Sequence, residues 1–218
     1  MARKVDPEQQ ALRREELLKA TYQVLLSKPS KDVTLEDIAL RAGVSKGVTV
    51  YYFKTKEEIF RACWTWLISR IGSRMKARAQ AAPDPVQALA AVVDTVFVGP
   101  SELRDFYTIY VDFLSQGVRN PSFGQVNIEF YALCREVNQA IVTEGIRQGC
   151  FREVDLAEAA AFGRAVIDGM CLQMLFDPNP AAFETYRNHC LNALLAYLMP
   201  APPTESQPAD SLRKDVSS

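Results

Sequence analysis

A chain of 218 residues with 48% hydrophobic side chains can bury one large core or two modest ones, which excludes a fully disordered protein. Its formal net charge of −1 conceals an asymmetry. Residues 1–62 hold 12 Lys/Arg against 9 Asp/Glu, a balance of +3, whereas the remainder holds 13 against 17, a balance of −4. Any attraction to a polyanion therefore resides in the amino-terminal third, as a local patch. The start MARKVDPEQQ has no apolar core, and no later stretch offers about 18 consecutive uncharged apolar residues, so neither a signal peptide nor a membrane span is expected and a cytoplasmic location is. Five cysteines, Cys63, Cys134, Cys150, Cys171 and Cys190, are an odd number without C-x-x-C spacing and read as buried thiols.

From Pro7 to Ser27 the positions Leu17, Leu18, Val24 and Leu25 repeat with a helical period, and Lys28-Pro29-Ser30 ends the segment. Arg3 and Lys4 ahead of it read as a charged, disordered start sooner than as an arm for a minor groove. Thr34 followed by Asp37 has the form of a capping box and predicts a helix from Leu35, stopping near Ala42 because Gly43 can turn left-handed without steric cost. Ser45 is a good N-cap for a second short helix through about Tyr52. Two such helices joined by a glycine turn form a helix-turn-helix, with the second helix as the reader. Its outward face is expected to carry Ser45, Lys46, Gly47, Thr49, Tyr51, Tyr52, Lys54 and Lys56, which offer hydroxyls and ammonium groups to phosphates and base edges. An isolated match of this kind is a common false positive, so the flanking residues decide it.

At this point the chain resembles the tetracycline-repressor (TetR) family of bacterial transcription regulators. The residues that carry the resemblance are Thr34, Glu36-Asp37-Ile38-Ala39, Ala42-Gly43-Val44-Ser45, Gly47, Tyr52-Phe53, Lys56 and Glu57, within about the first 60 residues. Val50 stands where many members carry tyrosine, and SKGVTVYYF is similar to the branch that includes repressors of glycine-betaine synthesis. The resemblance implies that Thr34, Tyr52 and Lys56 hold phosphates, while Lys46, Val48, Thr49 and Tyr51 lie in or beside the major groove. It also implies a homodimer on a palindromic, double-stranded DNA operator, relieved by a small-molecule effector.

Thr55 and Glu58 form a second capping box and start a long helix reaching about Gln80 that links two domains, a head over 1–54 and an effector-binding and dimerisation domain over 55–200. After the break at Ala81-Ala82-Pro83-Asp84-Pro85, five more helical segments follow: 86–98, 101–116, 123–148, 155–176 and 180–199. Asn179 ahead of Pro180 is read as the cap of the last. No segment alternates like a strand, so the fold class is all-α, and 201–218 read as a disordered tail.

Trp64, Phe106, Tyr110, Phe113 and Phe130, with Asp168 beside them, are the candidate effector pocket; an inward acid among aromatic faces would suit a cationic effector, and the rings alone an apolar one. Phe162, Val166, Met170, Tyr186 and Leu194 lie on the apolar stripes of the last two helices and are the candidate dimer interface. The one histidine, His189, sits on an apolar segment and reads as a core or interface residue. With no nucleophile–histidine arrangement, metal-ligand cluster or phosphate loop, an enzyme is not expected, nor a cofactor or metal. The remaining rival is a helical protein-interaction module that does not read DNA.

Overall fold

The computed structural model describes residues 6–177, 179 and 181–200, and within them every regular element is helical. The arm considered at Arg3 and Lys4 and the tail at 201–218 lie outside the described residues. The helices are α1 (Pro7–Ser27), α2 (Leu35–Arg41), α3 (Lys46–Tyr52), α4 (Lys56–Ala81), α5 (Pro85–Val96), α6 (Pro100–Arg119), α7 (Pro121–Arg147), α8 (Leu156–Met174) and α9 (Ala182–Leu198), with a single 3-10 turn at Ser30–Asp32 between α1 and α2.

Four helices, α1, α5, α6 and α7, open on proline, whose fixed φ suits a first turn and whose missing N–H costs nothing there. Asn120 ends α6 and caps α7, its Oδ1 accepting the Ser122 N–H at 3.0 Å. The two helices therefore reverse around one residue, so α6 runs three residues beyond the expected end at Gln116 and α7 starts two before Phe123. A Cβ on Gly124 would lie 3.0 Å from the Gly117 carbonyl, so the reversal needs a small residue there. Asn179 does not cap α9 directly: its side chain accepts the Ala181 N–H at 3.0 Å, and the helix begins one residue later.

The head is α1 packed behind α2 and α3, with α4 entering underneath. Gly43 leaves α2 at φ 66°, and Val44 N–H returns to the Ala39 carbonyl at 3.0 Å, setting the crossing of α2 and α3. The Thr34 hydroxyl accepts the Asp37 N–H at 3.2 Å, and Asp37 Oδ2 accepts the Thr34 N–H at 2.7 Å, completing the capping box. Lys28 adds its ammonium to the same carboxylate oxygen at 2.6 Å, tying the end of α1 to the start of α2. In the body, Trp64 of α4 is fully buried and stacks with Phe113 and Tyr110 of α6 at 5.1 and 5.5 Å, while its Nε1–H donates to Asn127 of α7 at 3.0 Å. α8 and α9 close the far side.

The Lys28 ammonium and the Thr34 hydroxyl and N–H hold Asp37 down from 3.8 to about 2. Since the folded value lies below the unfolded one, this carboxylate stabilises the head above pH 3.8 and ceases to as pH falls through about 2. Asp37→Asn is therefore expected to flatten the acid limb of a stability-versus-pH curve over that window; a limb of unchanged slope would show that Asp37 does not contribute to it.

Candidate nucleic-acid interface and effector cavity

The reading helix α3 presents two faces set by its 3.6-residue period. Lys46, Gly47 and Tyr51 are exposed, with Val50 half-exposed between them; Tyr51, 60% exposed, stands edge-on to Tyr52 with ring centroids 5.1 Å apart. Ser45 and Lys54 flank that face and are exposed. Val48 and Tyr52 are half-buried at its border, and Tyr52 packs against the core.

The structure corrects three expectations. Thr49 is fully buried and faces inward, because it lies one turn before Phe53, which is also fully buried; it has no access to a groove. Val50 takes the outward place expected of Thr49. Thr34 keeps its place at the tip of α2, but its hydroxyl donates to Asp37 at 2.7 Å and its N–H goes to the same acid, which leaves no donor for a phosphate. Lys56 does not point freely outward either: its ammonium donates to the carbonyls of Ser30 and Lys31 at 3.1 and 3.0 Å and lies over the Phe60 ring. Lys46 is ion-paired to Glu36 of α2 across an exposed surface. Glu36 is held below its ordinary value chiefly by that ammonium.

The turn that Lys56 grips is also held from α6. Ser30 is buried; its N–H donates to Asp112 Oδ2 at 3.2 Å and its Oγ accepts from Gln116 Nε2 at 3.2 Å. Asp112 is not among the candidate site residues read from the sequence. Its use in holding the turn depends on a meeting of residues more than 80 positions apart, for which the sequence carries no local signal.

On the other flank of α6 lies a cavity of about 870 Å³, open to solvent on one side. Its walls come from α4, α6, α7 and α8, from the end of α5, and from Glu15 and Tyr22 of α1, so the head itself supplies part of the wall. Of the expected pocket residues, Phe106 and Phe130 line it. Trp64, Tyr110 and Phe113 do not: they are fully buried in the stacked core behind, because three parallel rings exclude the space a ligand would need.

Asp168 is inward but already neutralised. Arg164, one turn earlier on α8, makes a two-pronged pair with it, with Nε–H to Oδ2 at 2.7 Å and the second prong closer still. The same guanidinium donates to the Tyr107 hydroxyl at 3.4 Å and lies 5.4 and 5.8 Å from the ring centres of Phe130 and Tyr131. Arg164 lines the cavity and was not anticipated, although an Arg four residues before an Asp on one helix was a signal available in the sequence. Burial pushes the Tyr107 hydroxyl well above its ordinary value, so it serves as a neutral donor and acceptor.

On the outer helices, Phe162 is exposed and stacks on Tyr197 at 4.4 Å, and Val166, Met170 and Tyr186 are half-buried. Leu194 is buried within the chain, its Cδ2 3.6 Å from where a Cβ on Gly163 would stand, so it packs α9 on α8 and is not part of a free face. His189 is exposed, not a core residue. Burial raises the thiols of Cys63, Cys171 and Cys190 to about 12, which fits inert core cysteines.

The head and the body each match a known family. Residues 17–63 match the description "Bacterial regulatory proteins, tetR family", and residues 85–198 match "BetI-type transcriptional repressor, C-terminal". The chain belongs to the TetR family of transcriptional regulators. The transcriptional regulator BetI of Serratia proteamaculans is 30% identical over 172 residues, covering 75% of this chain and 81% of its own. That of Cronobacter sakazakii is 28% identical over 91% of this chain and 96% of its own. Among solved structures, a TetR regulator from Haloarcula marismortui superposes with a TM-score of 0.78 at 24% identity, covering 87% of this chain and all of its own. A transcriptional regulator from Saccharomonospora viridis, solved in complex with choline, gives 0.80 at 21%, covering 88% and 100%; both share the fold. As a TetR protein of the BetI type, this chain is a DNA-binding, ligand-responsive transcriptional repressor and not an enzyme. Members of the family act as dimers on operators.

Thr49 separates the reading expected from sequence from the one the TetR head displays. Its Oγ1 is buried without a hydrogen-bond partner, an arrangement that costs about 1–3 kcal/mol. Thr49→Val, which keeps the shape and removes the hydroxyl, is expected to raise stability by about 1 kcal/mol in urea denaturation and to leave operator discrimination unchanged in a gel-shift series. Lost discrimination would return Thr49 to the reading face.

Proposed function

We propose that the protein dimerises through α8 and α9, places two copies of α3 on a palindromic operator, and leaves it when a small amphipathic molecule fills the cavity between α1, α4, α6 and α8. The observation that carries this reading is the shared use of α6. Phe106 and Tyr107 stand on the cavity while Asp112 and Gln116, one to three turns further on, hold the turn between α1 and α2 of the head. A helix is stiff over that distance of about 9–15 Å, so a displacement of α6 at the cavity arrives at Ser30 as a displacement of the head. The two reading helices must stay about 34–36 Å apart to meet successive grooves, and a coupling of about 1–3 kcal/mol alters operator affinity 5- to 150-fold.

Within each head, Lys46, Gly47, Val50 and Tyr51 are the proposed reading surface, with Ser45, Tyr52 and Lys54 beside the phosphates. Val48 borders the groove. In the dimer, Phe162, Val166 and Met170 of α8 and Tyr186 of α9 are the proposed contact face. Of the two effector classes open from the sequence, the apolar one keeps its support and the cationic one loses the free acid it needed. A protein-interaction module is not favoured, since both halves match repressors.

Genomic fragments retained by the purified protein are expected to share a palindrome and to bind it more weakly as salt rises. Fragments without a common sequence, held at every salt concentration alike, would refute an operator reader. The two lysines give a finer check. Lys54→Ala is expected to reduce the slope of log K against log salt by about 0.9, as for one lost phosphate contact. Lys56→Ala is expected to lower affinity with the slope unchanged, because it loosens the Ser30 turn instead; equal slope changes for both would show Lys56 on a phosphate. Asp112→Ala is expected to reduce the response to effector several-fold, measured as the ratio of affinities with and without ligand.

A further inference from the structure

The side chains that α3 offers to a major groove are short of hydrogen-bonding readers. Base edges are told apart chiefly by two-pronged contacts, Arg or Lys to guanine and Asn or Gln to adenine, and by Asp or Glu accepting from cytosine. From Ser45 to Lys54 the chain holds no Arg, Asn, Gln, Asp or Glu. Lys46, the one cation of α3, is ion-paired to Glu36. What the helix offers instead is apolar. Val48 and Val50 are half-exposed and, among the described residues, neither packs against the core, whereas Tyr52 does. Gly47 lies three residues before Val50, one turn away on the same side. Glycine weakens a short helix, and the fold does not require one here: a Cβ at this position would meet nothing nearer than Ser45 Oγ at 3.7 Å. The bare backbone of Gly47 and the methyl groups of Val50 thus form a shallow apolar notch on the exposed face.

We propose that this notch receives the 5-methyl group of a thymine, so that each half of the operator is recognised by a methyl contact at Val50 and Gly47 more than by hydrogen bonds to purines. The proposal deepens the operator reading and rests on α3 entering the major groove. Thymine alone among the four bases carries a methyl group in that groove, and apolar contact is the way a side chain recognises it. An aliphatic group left half-exposed to water gains by covering such a methyl. Lys46 and the Tyr51 hydroxyl can each add a hydrogen bond. An ammonium shared with Glu36, and a hydroxyl that both donates and accepts, discriminate weakly between bases.

The test uses the palindrome recovered from the genomic fragments that the full chain retains. Each thymine in turn is replaced by uracil, which removes the methyl and leaves every hydrogen-bonding group in place, and affinity is measured by fluorescence anisotropy at fixed salt. One thymine in each half-site is expected to lose about fourfold on replacement, the worth of one buried methyl, and about fifteenfold when both half-sites are changed together. Val50→Ala is expected to shrink that preference for thymine over uracil below about twofold. Gly47→Ala, for which the protein has room, is expected to keep the unfolding midpoint and to weaken the thymine duplex more than the uracil one, because the added methyl occupies the notch. Equal affinity for thymine and uracil at every position, or a preference left unchanged by both substitutions, would overturn the proposal. The operator reading is judged separately: a chain that retains no common palindrome refutes that reading and this one with it, whereas a chain that holds its palindrome and is indifferent to the methyl refutes the methyl contact alone.

Discussion

Four hydrogen bonds onto one short turn, whose first residue Ser30 is buried, join the part of this protein that touches DNA to the part that encloses the cavity. Ser30 is held by its N–H, its hydroxyl and its carbonyl, and the Lys31 carbonyl shares the Lys56 ammonium. Each partner comes from a helix that also serves the body: α4, whose aromatic residues anchor the core, and α6, which walls the cavity. Without these bonds the head would hang on the α4 connection and on the packing of α1 against α4 and α6. With them, head and body share two rigid members, and a change at either end has to be accommodated at the other. Ser30 suits that role because it is buried, so its backbone donor and acceptor have to be satisfied from within the protein.

The same logic of shared polar groups runs through the head. Asp37 serves the cap of α2 and receives Lys28 from the end of α1, and Lys54 N–H, just ahead of α4, reaches back from the reading helix to Glu58 at 2.8 Å. Each short helix is thus fixed by a neighbour at its end. That is needed because seven residues form too few internal hydrogen bonds for either α2 or α3 to persist alone. The exposed pair Lys46–Glu36 is of another kind: both side chains are solvated, the pair contributes little to stability, and the lysine can exchange its acid for a phosphate at small cost.

What the sequence made legible follows from how local the signals are. Caps, prolines at first turns and the glycine turn each depend on residues within four positions of one another, and from them the helix-turn-helix and most helix boundaries could be placed. The faces of α3 were harder. In a seven-residue helix an error of one residue, a rotation of about 100°, moves a side chain from groove to core, and Thr49, a polar residue among exposed polar neighbours, was placed outward although its hydroxyl is buried unpaired. Lys56 and Thr34 were assigned to phosphates by resemblance; their donors are consumed by partners that are respectively 26 and 3 residues away, and only the nearer one could be read from the sequence. The aromatic residues were recognised as a group, yet which of them stack into core and which border empty space is a matter of packing in three dimensions. Trp64, Tyr110 and Phe113 went one way, Phe106 and Phe130 the other.

A fold fixes where its helices lie, and the space they enclose is filled by side chains that the helices merely present. Here one such side chain, Arg164, is a buried cation. A lone guanidinium in that position would be strongly disfavoured, and it is tolerated because Asp168 binds it with both oxygens, the Tyr107 hydroxyl accepts a further N–H, and two ring faces receive its plane. Asp168 is thereby withdrawn from any ligand. An acid that looks, in the sequence, like a receptor for a cation is in the folded chain the counter-ion of a cation already present.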